Sequence, residues 1–232
     1  MRTSIPASTP ASTPARVRTS PRSLTVVGAL AAAVSLAGLG TAHAAGTTLS
    51  QGHIDAIDVE YDGTALQFHV HDHSVAPAVE YAPGDVVLRV LPAAAYTVPA
   101  GTCHSHLGTA GTTVYRLPQT ETTGLLWPGV SGEHLAPGVF QGDKVQVSLA
   151  SVSGPGKITV YKNGLCPKNN RSYDSADTAL ANTRDVAAGE HDHANWAFTK
   201  AGTYTATFKV SGTLANGTKV GPTSAVYTFQ VG

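Results

Sequence analysis

The chain has 232 residues, with 15 basic and 15 acidic side chains, a formal net charge of zero, and only 13% of its residues charged. Without residues 1–44 it keeps 188 residues with 11 basic and 15 acidic groups, a net of −4. This excludes a nucleic-acid binder driven by phosphate neutralisation and argues against a polybasic membrane-surface protein. The 24 Gly and 14 Pro point to many short strands and turns rather than long surface helices.

Residues 1–23 are rich in Ser, Thr, Pro and Arg, and an apolar run from Leu24 to Leu39 follows. Ala42-His43-Ala44, a small-x-small triplet, stands before Ala45. This is the layout of a secretory signal peptide cut after Ala44. The apolar run is shorter than the ~20 residues that a spanning helix needs. Residues 45–232 are therefore expected to form a secreted product with no membrane span after signal cleavage.

A period of two dominates the remaining chain. Leu66, Phe68 and Val70 point one way, while Gln67, His69, His71 and His73 point the other. Similar apolar faces are formed by Val86, Leu88 and Val90, by Val145, Val147 and Leu149, and by Ile158 and Val160. Further along they recur at Trp196 and Phe198, at Tyr204 to Val210, and at Ala225 to Val231. Asp62-Gly63, Asn163-Gly164 and Asn216-Gly217 supply hairpin turns. The pattern predicts one all-β domain over 45–232, an immunoglobulin-like antiparallel β-sandwich of two sheets. Residues 92–140, irregular and rich in Pro and Gly, are expected to be a long insertion, and 173–190 a short helix or an ordered loop.

Cys103 and Cys166 both fall in the exported part. In an oxidising compartment they are expected to pair as a disulfide. The rival reading makes Cys103 a soft metal ligand beside His104.

The histidines carry the chemistry. Seven of them fall in i, i+2 groups, namely His69/His71/His73, His104/His106 and His191/His193, and His53 stands two residues before Asp55. On a strand that spacing sets two side chains on one face, about 6.6 Å apart at their α-carbons. Two imidazoles so placed can lean towards one ion held about 2.0–2.1 Å from each nitrogen. The predicted metal ligands are His53, Asp55, His69, His71, His73, His104, His106, His191 and His193, with Glu190 and Asp192 as further carboxylates. A continuous strand through 191–198 would set His191, His193 and Asn195 on one face and Trp196 and Phe198 on the other. Imidazole with carboxylate suits zinc, copper(II) and nickel, and zinc is the first choice.

Five segments, taken in order, are similar to the actinobacterial surface-anchored protein domain, also called the choice-of-anchor M domain. They are Gly52-His53-Ile54-Asp55, Val114 to Thr120, Leu125 to Gly129, Val152 to Gly156 and His191 to Phe198. The resemblance covers about 51–231. It implies an exported cell-envelope protein, and a role in metal capture beside a metal ABC transporter and its binding protein. His53 and Asp55 match the Gly-His-x-Asp element of that family, and His191, His193 and Asn195 match its His-x-His-x-Asn-Trp element. The three-histidine strand and Cys103-His104-Ser105-His106 are additions in this chain. Residues 45–232 carry no sorting signal or membrane segment of the kind that ends anchored members, so a diffusible form is expected.

The leading functional expectation is a non-catalytic protein that binds a transition metal extracellularly, accessory to uptake or buffering. The alternative is an immunoglobulin-like surface interaction or adhesion module whose histidines are incidental. No Gly-x-Ser-x-Gly elbow and no His-Glu-x-x-His helix occurs, so an enzyme is not expected.

Overall fold

The computed structural model describes residues 46–232; the expected signal peptide, 1–44, lies outside the described residues. The chain begins with β1 (Thr47–Leu49), β2 (Gly52–Tyr61), β3 (Leu66–Asp72), β4 (Val79–Tyr81) and β5 (Val86–Val90). It continues through β6 (Ala95–Thr97), β7 (Thr113–Leu117), β8 (Leu126–Ser131), β9 (Lys144–Ser153), β10 (Ile158–Tyr161) and β11 (Arg171–Asp174). It ends with β12 (Thr183–Ala187), β13 (His191–His193), β14 (Asn195–Phe198), β15 (Gly202–Thr213) and β16 (Lys219–Val231).

The protein is all-β, and its strands form three sheets rather than two. The strand orders are β1-β5-β16-β15-β9-β12, β11-β10-β14-β7-β6 and β13-β8-β2-β3-β4. Most neighbours are antiparallel, but β1 with β5, β5 with β16, and β2 with β8 run parallel. All three sheets turn apolar side chains into one core. Trp196 and Phe198 of β14 lie against Phe208 and Phe229 of the six-stranded sheet, with ring centroids 5.1–6.2 Å apart. Phe68 of β3 meets Tyr227 of β16 edge-on at 6.2 Å. Such pairs add about 0.5–1.5 kcal/mol each beyond their burial.

The stretch expected to be an irregular insertion holds three of these strands, β6, β7 and β8. Their apolar alternation is short or interrupted, by Pro128 and Gly129 in β8, so period alone did not reveal them. The segment 173–190 contains no helix; Asp174 and Asp177 accept hydrogen bonds from the backbone N–H groups of Ala176 and Ala179. These local turns compete with a helical backbone.

The strand expected over 191–198 breaks at Ala194. β13 pairs with β8, whereas β14 pairs with β10 and β7. The chain thus crosses from one sheet to another, with Ala194 itself buried. Asn195 fixes the crossing: its Oδ1 accepts from the Gln119 N–H at 3.1 Å, and its Nδ2 donates to Tyr161 O at 3.2 Å and Asn163 Oδ1 at 2.9 Å. Its amide is thus committed to Gln119, Tyr161 and Asn163 rather than to the histidine group.

The β11-β10-β14-β7-β6 sheet carries a second, smaller cluster of Val98, Leu107, Val114, Tyr161 and Ala197. Beside it Cys103 and Cys166 are joined in a disulfide that closes a separation of 63 residues. Replacing both by Ser should lower the unfolding free energy by roughly 4 kcal/mol by the chain-entropy argument. Urea unfolding of the oxidised protein and of the double variant measures the difference.

Candidate metal centre

The third sheet assembles the site by register. His193, Gly129, Asp55, His71 and Glu80 fall opposite one another across β13, β8, β2, β3 and β4. In the neighbouring row His191, Ser131, Asp58 and His69 do the same. A β-bulge in β2 makes this possible. Ala56 is the extra residue, so that Asp55 opposes His71 while Asp58 opposes His69. Plain alternation sends residues three apart to opposite faces; the bulge returns Asp58 to the face of Asp55. Ile54, Ile57 and Val59 fill the core on the other side.

Asp55 is the hub. It is 1% exposed, and its two oxygens face different histidines. Oδ1 lies 3.0 Å from His191 Nε2 and 3.5 Å from His53 Nε2, and those two nitrogens are 3.0 Å apart. Oδ2 lies 3.0 Å from His73 Nε2. Donor atoms on a tetrahedron of 2.0–2.1 Å radius are about 3.3 Å apart, so His53, His191 and Asp55 already describe one of its faces. His193 completes a trio with His53 and His191 whose donor atoms lie within 4.8 Å of one another. A hydrogen bond between the two imidazoles would occupy their nitrogens, but Asp55 Oδ1 would keep no aligned donor. One cation satisfies all three lone pairs at once.

The surroundings hold these rings in place. Trp127 stacks on His193 with ring planes 8° apart and centroids 3.7 Å apart, and its Nε1 donates to Gln119 O at 2.8 Å. Glu133 Oε2 lies 3.2 Å from His191 Nδ1. A proton on Nδ1 then leaves the Nε2 lone pair directed at Asp55 and His53, the usual way a carboxylate sets the tautomer of a ligating histidine. Burial lowers the pKa of His53, although Asp55 opposes the shift. Burial, helped by His53 and His191, lowers His193 to about 4. Both rings are neutral, hence competent as ligands, at neutral pH.

The other expected ligands divide. His71 and His73 adjoin the first group: Asp55, His71 and His73 offer donor atoms within 4.8 Å, and so do Asp58, His71 and His134. His134, isolated in the sequence, has its Nδ1 2.8 Å from Asp58 Oδ2. Burial disfavours its charge, but the Asp58 hydrogen bond and the acids around it outweigh this and raise its pKa. His69 lies further along, between the partly exposed Glu60 and Glu80 at 3.5 and 3.1 Å.

His104 and His106 do not join the site. The Thr102–His104 segment is a 3-10 turn, where i, i+2 spacing does not define a shared face. His106 is buried edge-on against Tyr161 with neither ring nitrogen partnered. Glu190 and Asp192 are also committed elsewhere. Arg184 pairs with both, and Lys162 Nζ holds Asp192 at 2.6 Å. Asp58, Trp127, Gly129, Glu133 and His134 were not anticipated. Asp58 is hidden by the bulge, Trp127 and Gly129 by a strand without clear alternation, and Glu133 and His134 by the turn that follows it.

Two outcomes follow from this geometry. A Cβ at Gly129 would lie 2.6 Å from Asp55 Oδ1 and 3.2 Å from His193 Cε1. Gly129→Ala should therefore destabilise the protein by about 1–3 kcal/mol, as overpacking does, read by urea unfolding with chelator present. Burial, with Arg171 and Lys157 nearby, lowers His106 to about 4. The unfolded chain takes up this proton near pH 6.5, so the contribution is present above that pH and is lost as pH falls towards 4. His106→Phe should flatten the decline in stability across that window, seen in a pH series of unfolding curves. No protein-family model, no curated protein and no solved structure matches the chain.

Proposed function

We propose that the protein is a non-catalytic, exported cell-envelope protein that holds a transition-metal ion on the histidine face of its third sheet. The observation that carries this reading is the Asp55, His53 and His191 triangle, with edges of 3.0, 3.0 and 3.5 Å and a buried carboxylate oxygen that lacks a hydrogen-bond donor. The ligands are His53, His191, His193 and Asp55, with Glu133 orienting His191. Zinc is the first choice, because imidazoles assisted by a carboxylate suit it. Copper(II) and nickel are the competitors, copper(II) being favoured in intrinsic affinity.

The resemblance to the choice-of-anchor M domain supports a place in metal capture beside an uptake transporter. Of the residues that match that pattern, His53, Asp55, His191 and His193 are the four at the site. The layout of residues 1–44 supports export. An immunoglobulin-like ancestry is supported by Tyr204 near the start of β15, whose hydroxyl donates to Lys200 O at 2.8 Å and accepts from the Lys200 N–H at 3.2 Å. That resembles the tyrosine corner of such domains.

Calorimetric titration of the purified, chelator-stripped protein tests the reading. Zinc should bind more tightly than micromolar at pH 7.5. Affinity should weaken as pH falls from about 6.5 towards 4, where the imidazoles take up protons. His191→Ala should weaken binding by roughly 100-fold or more, since loss of an outer partner alone removes 10–100-fold. If neither zinc nor copper(II) binds better than micromolar, the proposal fails.

A further inference from the structure

The geometry points to a second ion beside the first, so that the histidine face is a binuclear centre bridged by the carboxylate of Asp55. This rests on the metal-binding reading above and extends it. Asp55 Oδ1 serves His53 and His191, while Oδ2 is turned to His73 Nε2 at 3.0 Å. His71 stands beside His73 with ring centroids 4.3 Å apart. Asp55, His71 and His73 therefore form a second three-donor group within 4.8 Å. One carboxylate that offers an oxygen to each of two ligand groups is a common way to hold two ions about 3.5–4 Å apart.

The charge at the site fits two cations. Asp58 is 0% exposed, and its Oδ1 has no hydrogen-bond partner. Its position beyond His71, with His134 on Oδ2, puts a second buried anion on the same side as the second group. Two adjacent divalent ions repel each other strongly where water is scarce; Asp55 between them and Asp58 behind the second offset that repulsion. The trio of His69, Glu60 and Glu80 is not included, because its two acids are largely open to solvent, at 41% and 46% exposed, and no buried carboxylate links it to the other groups.

The two groups are separable by substitution. His73 lies at the rim, about a third exposed, and its removal leaves the core untouched. The purified protein is loaded with zinc, dialysed, and analysed for zinc per chain, with melting curves in chelator as the folding control. Two zinc ions per chain are expected. His73→Ala and His71→Ala should each leave one, His191→Ala should leave one, and Asp55→Ala should lose one and weaken the other tenfold or more. Loaded instead with copper(II), the protein should show the paramagnetic signal of a coupled pair, and His73→Ala should convert it to that of an isolated ion. One zinc per chain, lost in His191→Ala but unchanged in His71→Ala and His73→Ala, overturns the second ion while leaving the first. No bound zinc overturns the metal reading itself. Two zinc ions that persist in His73→Ala and His71→Ala place the second ion elsewhere and overturn the bridge.

Discussion

A carboxylate removed from water needs compensation, because an isolated buried charge is strongly unfavourable. Asp55 is such a group, and it lies against three imidazoles, those of His53, His73 and His191. Much of the third sheet follows from that requirement. Gly129 leaves room for the carboxylate, β13 is laid on β8 to bring His191 and His193 across, and the Ala56 bulge adds Asp58 to the same face. The centre comes from the pairing register of five strands, so no single stretch of chain contains it.

The site and the core share one segment. Ala194 and Asn195 separate His193, which stacks on Trp127, from Trp196, which is buried against Phe208 and Phe229. Asn195 locks the crossing with three hydrogen bonds. The histidine pair is thereby anchored to the aromatic interior through two residues of backbone. Preorganisation of this kind limits the entropy lost when ligands are gathered around an ion.

Much of this was legible in the sequence, and the rest was hidden for identifiable reasons. Alternation revealed the polar face of β3, with His71 and His73 on it, and i, i+2 spacing singled out His53 and Asp55. The i, i+2 pair His191/His193 is on a strand as expected. The same spacing at His104/His106 was misleading, since it implies a common face only in extended backbone, and that segment is a 3-10 turn. Asp58 was concealed because a bulge changes the parity of everything beyond it. Trp127 and Gly129 lie in β8, whose Pro128 disguises the strand and whose parallel pairing with β2 leaves no hairpin signal. His134 looked solitary because its partners, Asp58 and His71, are far away along the chain. The third sheet could not be foreseen while 191–198 was read as one strand.

The rings around Asp55 differ in how firmly they are held. His193 is wedged under the Trp127 indole, whereas His53, His73 and His191 are partly open at the rim. A hydrated cation arriving from outside would meet these rim imidazoles first and the ring stacked under Trp127 last. Loading would then run from the open donors to the covered one, and departure in reverse. An ion held there would enter and leave by one opening, without the sheet having to come apart.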